Sequence, residues 1–285
     1  MSALSLRFTK GHGTHNDFVI IDDLDGELSL SAAQIQAICD RRGGIGADGV
    51  LRVVRTTAFP ALLALGDQTE AEFFMDYVNS DGSVSAMCGN GIRVFARHLL
   101  DEGLVDSDLI RIATRDGVKT VVLDDTGATV DMGRTELIEG DAQVTVDGRT
   151  FPAIGVRVGN PNAVVFVDDL NDAGALLDPP GLAPAEMFPE AANVEFVVRV
   201  GERHLAMRVF ERGSGETRSC GTGAVAAAVA SAGHFGDTGH RSEWRIDVPG
   251  GRLTVTLNGD EAQLTGNAVI VAHGVLAPDL LAVRA

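Results

Sequence analysis

Residues 211–229 read ERGSGETRSCGTGAVAAAV, and residues 87–93 read MCGNGIR. Cys220 and Cys88 stand in the same Cys-Gly-x-Gly frame. Each frame opens a run with helical character: alanine and valine after Cys220, and Ile92, Phe95, Ala96, Leu99 and Leu100 on one face after Cys88. A thiol at a helix N-terminus meets N–H groups that no preceding turn can satisfy, together with the positive end of the helix dipole. Both favour a thiolate and anionic ligands. The glycines Gly89, Gly91, Gly221 and Gly223 remove the side chains that would keep a carboxylate off the backbone. One such frame reads as a small buried cysteine with glycines for close packing. Two frames, with Asn90 and Thr222 adding polar groups, point to function.

Outward from these frames, strands and helices alternate. NDFVIID (16–22) and VLRVVR (50–55) read as strands, and SAAQIQAICDRR (31–42) between them opens with a Ser-x-x-Gln capping box and carries apolar residues at helical spacing. AEFFMDYVN (71–79) reads as a further strand before the first cysteine helix. Short strands follow at LIRIAT, KTVVLD and ATVDM. The second half supplies QVTVDGRTFPAIGVRVG, AVVFVD, NVEFVVRV and HLAMRVFE before the second cysteine helix, and strands with turns at Gly250-Gly251 and Asn258-Gly259 close the chain. Many short strands around one principal helix per half give an α+β expectation. The halves look duplicated, since each places an Asn shortly before Phe-Val (Asn16 and Phe18; Asn193 and Phe196), then strands, then the cysteine frame. Two similar halves facing each other would bring Cys88 and Cys220 to opposite sides of one cleft.

Composition narrows the setting. A chain of 285 residues with 45% apolar content supports two modest domains. Its 23 basic and 40 acidic residues give a net charge of -17 with no Lys/Arg cluster, which speaks against a nucleic-acid partner. MSALSLRFTK lacks a basic segment followed by an apolar stretch, and AVAAAVASA (224–232) is too short to span a bilayer. A soluble cytoplasmic protein with no membrane partner is expected. Three cysteines form no even disulfide framework. Cys39, on the apolar face of its helix, reads as core.

Other motifs carry less. Gly44-x-Gly46-x-x-Gly49 matches a dinucleotide fingerprint, but a helix precedes it and a strand follows, the reverse of what the fingerprint needs. It reads as a tight helix-to-strand connection. His12 and His15 have no convincing third ligand, so a loop role is expected and no metal. Polar residues gather at Asn79, Asn160, Asn162, Asn193, Glu211 and Arg212, a set suited to the amino and carboxylate groups of an amino acid.

FTKGHGTHNDFVIID (8–22), DRRGGIGADGVLRV (40–53), NSDGSVSAMCGNGIRVFARHL (79–99), VGNPN (158–162), FPEAANVEFV (188–197), ERGSGETRSCGTGAVAAAV (211–229) and VPGGRLTV (248–255) together resemble the diaminopimelate epimerases, almost from end to end. That family is cofactor-independent and serves bacterial lysine and cell-wall precursor synthesis. The resemblance implies two pseudo-symmetric domains, each a mostly antiparallel sheet rolled around a central helix, with residues 1–132 plus 267–285 carrying Cys88 and residues 133–266 carrying Cys220. It implies interconversion of LL- and meso-2,6-diaminopimelate by proton transfer between Cys88 and Cys220, with no cofactor. The amides around Gly89, Asn90, Gly221 and Thr222 would receive the substrate carboxylate. Asn16, Asn79, Asn193 and Arg212 would bind the far end, with Arg212 on the distal carboxylate, Asn160 would help position the ligand, and Glu211 would tune a thiol and touch an ammonium. A homodimer is expected. Two positions depart from the family pattern: Asn162 stands where His is usual, which removes a titratable group, and Gly49 stands where Gln is frequent, which would loosen a peripheral contact. A racemase of another amino acid and a non-catalytic amino-acid binding protein remain the alternatives.

Overall fold

The computed structural model describes residues 6–59, 61–62, 70–237 and 239–282, and the chain divides into two compact units, Met1–Val130 with Asn267–Ala285, and Asp131–Gly266. In the first unit β1 (Arg7–Gly13) and β2 (Asn16–Asp22) form a hairpin. Its two turn residues, Thr14 and His15, both have positive φ (53° and 61°), the primed turn that matches strand twist. His12 and His15 therefore belong to a tight hairpin rather than a loose Gly-rich loop. Helix α1 (Ala32–Cys39) starts on the expected capping box, in which Ser31 Oγ accepts from Gln34 N–H and Gln34 Oε1 accepts from Ser31 N–H. It stops short of Asp40-Arg41-Arg42, because the Asp40 carboxylate takes the N–H groups of Arg42 and Gly43 and turns the chain.

The glycine run after α1 leads into β3 (Gly49–Arg55), which pairs parallel to β2 and antiparallel to β4 (Phe73–Asn79). Helix α2 (Gly89–Asp101) then crosses to β5 (Leu109–Thr114), parallel to β4, and β6 (Gly117–Asp124) and β7 (Gly127–Arg134) follow antiparallel. The expected apolar face of α2 understates its burial. Val94, Arg93 and His98 are buried along with Ile92, Phe95 and Leu99, because α2 packs against β1, β2, β3, β5 and β6. A helix wrapped by its own sheet keeps little solvent face, and in α2 only Arg97, Leu100 and Asp101 are not buried.

The second unit repeats the pattern. β8 (Glu136–Val146), β9 (Arg149–Val158) and β10 (Asn160–Phe166) run antiparallel, and short β11 (Gly181–Ala183) adds to β8. β12 (Asn193–Gly201) is parallel to β10 and antiparallel to β13 (His204–Glu211), which carries short β14 (Gly215–Thr217). Helix α3 (Gly221–His234) crosses to β15 (Arg241–Val248), parallel to β13, and β16 (Gly251–Asn258) and β17 (Glu261–Gly266) close the sheet antiparallel. Alanine dominates α3, so β9, β10, β12 and β16 can pack close to its backbone. The chain then returns to the first unit as β18 (Val269–Val275), antiparallel to β1, and α4 (Pro278–Leu281), which packs on α1.

Each unit is thus a mostly antiparallel sheet with two parallel crossovers, the second through the cysteine helix. Matching strand to strand pairs β1 to β7 with β9, β10, β12, β13, β15, β16 and β17. This corrects the sequence equivalence of Asn16 with Asn193. Asn16 and Asn160 open β2 and β10, whereas the register partners Phe18–Gly49 and Asn162–Asn193 make Gly49 the counterpart of Asn193. Asn79 and Glu211 end β4 and β13, each nine positions ahead of its cysteine (79 to 88, 211 to 220).

Candidate active site

Cys88 is the N-cap of α2 and Cys220 the N-cap of α3, both in extended backbone conformation. Each sulfur fills the place usually taken by a serine or aspartate oxygen: Gly91 N–H donates to Cys88 Sγ at 3.3 Å, and Gly223 N–H donates to Cys220 Sγ at 3.4 Å. The first turns of the two buried central helices therefore end on a sulfur.

In the first unit the Cys88 thiol lies 3.6 Å from Asn16 Oδ1, which also accepts from Asn90 Nδ2 at 3.2 Å. Asn16 in turn donates to Asp48 Oδ2 at 2.7 Å, so its amide orientation is fixed. Behind it, Asp17 and Asp48 meet Lys10 and Arg41. Burial works against an ionised Asp17, but hydrogen bonds from Arg41 and Lys10 outweigh it and hold that carboxyl down at about 2. Burial pushes Asp48 up. Asn79 stands at the end of β4 opposite Gly49 and donates to Ser83 Oγ at 3.0 Å, within its own turn. At Gly49 the structure corrects the sequence expectation. An added Cβ would come within 2.6 Å of both Tyr77 Cε2 and Val78 O, so the space for a longer side chain is filled rather than loosened.

In the second unit Asn193 is the hub. Its amide nitrogen lies 3.1 Å from Asn162 Oδ1, 3.4 Å from Thr222 Oγ1 and 3.7 Å from Cys220 Sγ, and its oxygen accepts from Arg212 N–H at 3.0 Å. Asn162 is fully buried and donates to the carbonyl of Asn160 at 2.9 Å. The residue that stands in place of His is therefore a structural amide that aims Asn193 at the sulfur. Thr222 Oγ1 lies 3.4 Å from Cys220 Sγ, and Glu211 accepts from the Thr217 hydroxyl. The Asn160 Oδ1 is buried without a partner among the described residues. The Arg212 guanidinium is turned to Glu190, whose carbonyl it reaches at 2.9 Å. Burial pushes the Cys220 thiol well above its ordinary range, helped by the negative charge of Glu211 and opposed by Thr222 and the Gly223 N–H.

Two buried ionisable residues escape a sequence reading. Arg93 has no exposed surface and donates to Thr14 Oγ1 and Asn90 Oδ1, each at 2.9 Å, and to the carbonyls of Gly89 at 3.0 Å and Asn267 at 3.3 Å. Glu195 is likewise fully buried, and neither carboxyl oxygen has a partner among the described residues. Burial, with Glu211 adding like charge, pushes Glu195 well above the usual carboxylate range. The only sequence signal for Glu195 is its place inside an otherwise apolar strand, NVEFVV. Cys39, by contrast, is plain core: it packs with Ile35 and Ile38, and burial pushes its thiol up to about 12. No group of His, Cys, Asp and Glu among the described residues is arranged to hold a metal. No helix among them is long and apolar enough to cross a membrane.

Twinned sheets, each wrapped around a helix capped by cysteine, define a recognisable class. The chain shares its fold with a hydroxyproline epimerase from Agrobacterium vitis, at a TM-score of 0.70 and 14% identity over 95% of this chain and 92% of that one. It shares it equally with a PhzF-family phenazine biosynthesis protein from Bacillus anthracis, at 0.69 and 18% over 96% and 99%. Sequence narrows the class further. The family model described as diaminopimelate epimerase matches residues 8–138 and 154–271. The diaminopimelate epimerase of Streptomyces coelicolor is 54% identical over 94% of each chain, and that of Thermobifida fusca is 50% identical over 94% of this chain and 97% of its own. The chain belongs to the diaminopimelate epimerase family.

Proposed function

We propose that this protein interconverts LL- and meso-2,6-diaminopimelate by exchanging the proton at one Cα, with Cys88 and Cys220 as the two acid–base groups. The observation that carries the reading is that each unit caps its buried central helix with a cysteine whose sulfur already accepts a backbone N–H. Inversion at carbon needs proton removal from one face and delivery to the other, which one thiolate and one thiol accomplish without moving. Reversing direction exchanges their roles. As the proton leaves, negative charge develops on the substrate carboxylate, and the first-turn amides of Gly89, Asn90, Gly221 and Thr222 at two helix N-termini suit it. No step calls on a cofactor.

The remaining polar residues divide the substrate between them. Asn16 and Asn193 each touch a cysteine sulfur and would orient groups around the reacting carbon. The unpartnered Asn160 oxygen suits an ammonium, and Glu211 would tune Cys220 and meet a second ammonium. Arg212 would leave Glu190 to clamp the distal carboxylate, and Asn79 would contribute at the same far end. Asn162 cannot titrate, so its part is to hold Asn193. The same reading takes the protein as a cytoplasmic homodimer, with sedimentation as the check on its assembly.

Solvent exchange tests the whole. In D2O the protein should place deuterium at Cα of diaminopimelate and convert the LL to the meso isomer, with little exchange in amino acids that lack a second carboxylate. Faster exchange in a monocarboxylate amino acid would assign a different racemase. Absence of exchange across the panel would leave only a binding role.

A further inference from the structure

The second unit holds a run of side-chain amides whose direction is set by backbone groups. Asn162 Nδ2 donates to the carbonyl of Asn160 at 2.9 Å and lies 3.4 Å from that of Val156, which turns the Asn162 oxygen the other way, to accept from Asn193 Nδ2 at 3.1 Å. Asn193 Oδ1 accepts from the Arg212 N–H at 3.0 Å. Flipping Asn162 would set its oxygen against two carbonyl oxygens, and flipping Asn193 would set N–H against N–H; at 0% and 4% exposure, neither can turn to solvent instead. One Asn193 proton is therefore committed to Asn162, and the other faces Thr222 Oγ1 at 3.4 Å and Cys220 Sγ at 3.7 Å. Thr222 Oγ1 itself lies 3.4 Å from the sulfur, so both routes end there.

An anion at Cys220 needs such a donor. Burial works against a thiolate there, and Glu211 of β13 adds like charge. Glu195 of β12 is kept in its protonated form by its own burial, and the Arg212 guanidinium is held on Glu190. The Gly223 N–H, Thr222 and the Asn193 amide, which do reach the sulfur, are all neutral. The first unit is built differently. Phe18 and Gly49 stand where Asn162 and Asn193 stand, and the amide that meets Cys88, that of Asn16, turns its oxygen to the sulfur.

We propose that Asn162 is a positioning residue that locks the Asn193 amide with an N–H toward Cys220, so that the thiolate formed when Cys220 gives up its proton meets a fixed, uncharged donor. Neither amide titrates, so the donor is the same at every working pH. The proposal rests on the two-thiol reading above, and its test needs no turnover.

Only a thiolate is alkylated, so below the thiol midpoint the labelling rate follows the thiolate fraction. Iodoacetamide labelling at about pH 8, resolved by peptide mass, reads Cys220, with Cys88 as the internal control. Asn162→Leu and Asn193→Leu keep nearly the same volume and remove the amide. Each should slow Cys220 labelling about tenfold and leave Cys88 unmoved. The double variant should be no slower than Asn193→Leu alone, because Asn162 acts through Asn193; effects that multiply would mark two separate structural losses. Asn162→His, whose ring is neutral at that pH and offers both an acceptor and an N–H, should label within about threefold of the parent. An unchanged Cys220 rate in either single variant, an equal change at both sulfurs, or multiplying effects overturns the proposal. Should Asn162→Leu not fold, an unchanged Cys220 rate in Asn193→Leu or a slowed one in Asn162→His overturns it. A protein with the expected labelling and no exchange at diaminopimelate would refute the proposed function and leave the role of Asn162 standing.

Discussion

Glu195→Gln should make the protein more stable as pH rises, relative to its parent. Glu195 is fully buried, with neither carboxyl oxygen paired among the described residues, so the folded chain strongly prefers the protonated acid. The unfolded chain releases that proton near an ordinary glutamate midpoint of about 4.3. Below that pH both states hold the proton and the site is neutral with respect to pH. Above it the folded state binds one proton more than the unfolded state, so stability falls by about 1.4 kcal/mol per pH unit until Glu195 itself ionises. Glutamine has nearly the same shape and no proton to lose, so the slope disappears. Its amide adds a second unpaired donor, which costs about 1–3 kcal/mol at every pH and leaves the slope untouched. The difference in unfolding free energy, variant minus parent, should therefore climb by about 3 kcal/mol between about pH 5 and pH 7, a large share of a typical total of about 5–15 kcal/mol. Urea titrations at pH 5, 6 and 7 (round values within about that window) measure it. A difference that stays flat with pH would show that Glu195 is ionised and compensated in the fold, and would refute the argument from its burial.

Cys88→Ser and Cys220→Ser should each lower kcat for diaminopimelate by about 10²–10⁴-fold, because a hydroxyl is a far poorer base at neutral pH. Cys39→Ala should leave kcat nearly unchanged, and full activity in either serine variant would end the two-thiol mechanism. Arg212→Lys should raise KM for diaminopimelate about tenfold or more, since an ammonium cannot reproduce a bidentate hold on a carboxylate; an unchanged KM removes Arg212 from the substrate. Gly49→Gln, though it restores a residue frequent in the family, should destabilise the protein by about 1–3 kcal/mol, because its Cβ would meet the backbone carbonyl of Val78 and the Tyr77 ring at 2.6 Å. Equal or greater stability by urea unfolding would show that Tyr77 yields.

The features legible in the sequence are those where local chemistry decides the structure. The capping box at Ser31, the β2 strand at 16–22 and the two cysteine N-caps depend on neighbours within a few positions, and the sequence carries those neighbours. The pairing of the halves depends on strand order, which alternation cannot supply. Asn16 and Asn193 look equivalent in line because each precedes Phe-Val, yet the parallel crossovers place Asn193 opposite Asn162 and Gly49 opposite Phe18. Arg93 and Glu195 were illegible for a related reason. An arginine in an amphipathic helix and a glutamate in a strand both read as solvent-facing, and that inference fails where a sheet wraps most of a helix, as the burial of ten of the thirteen α2 residues shows. The same enclosure leaves the Glu195 carboxyl with no water to ionise into, so what the fold holds at that position is a proton rather than a charge, and the pH dependence of stability is where it shows.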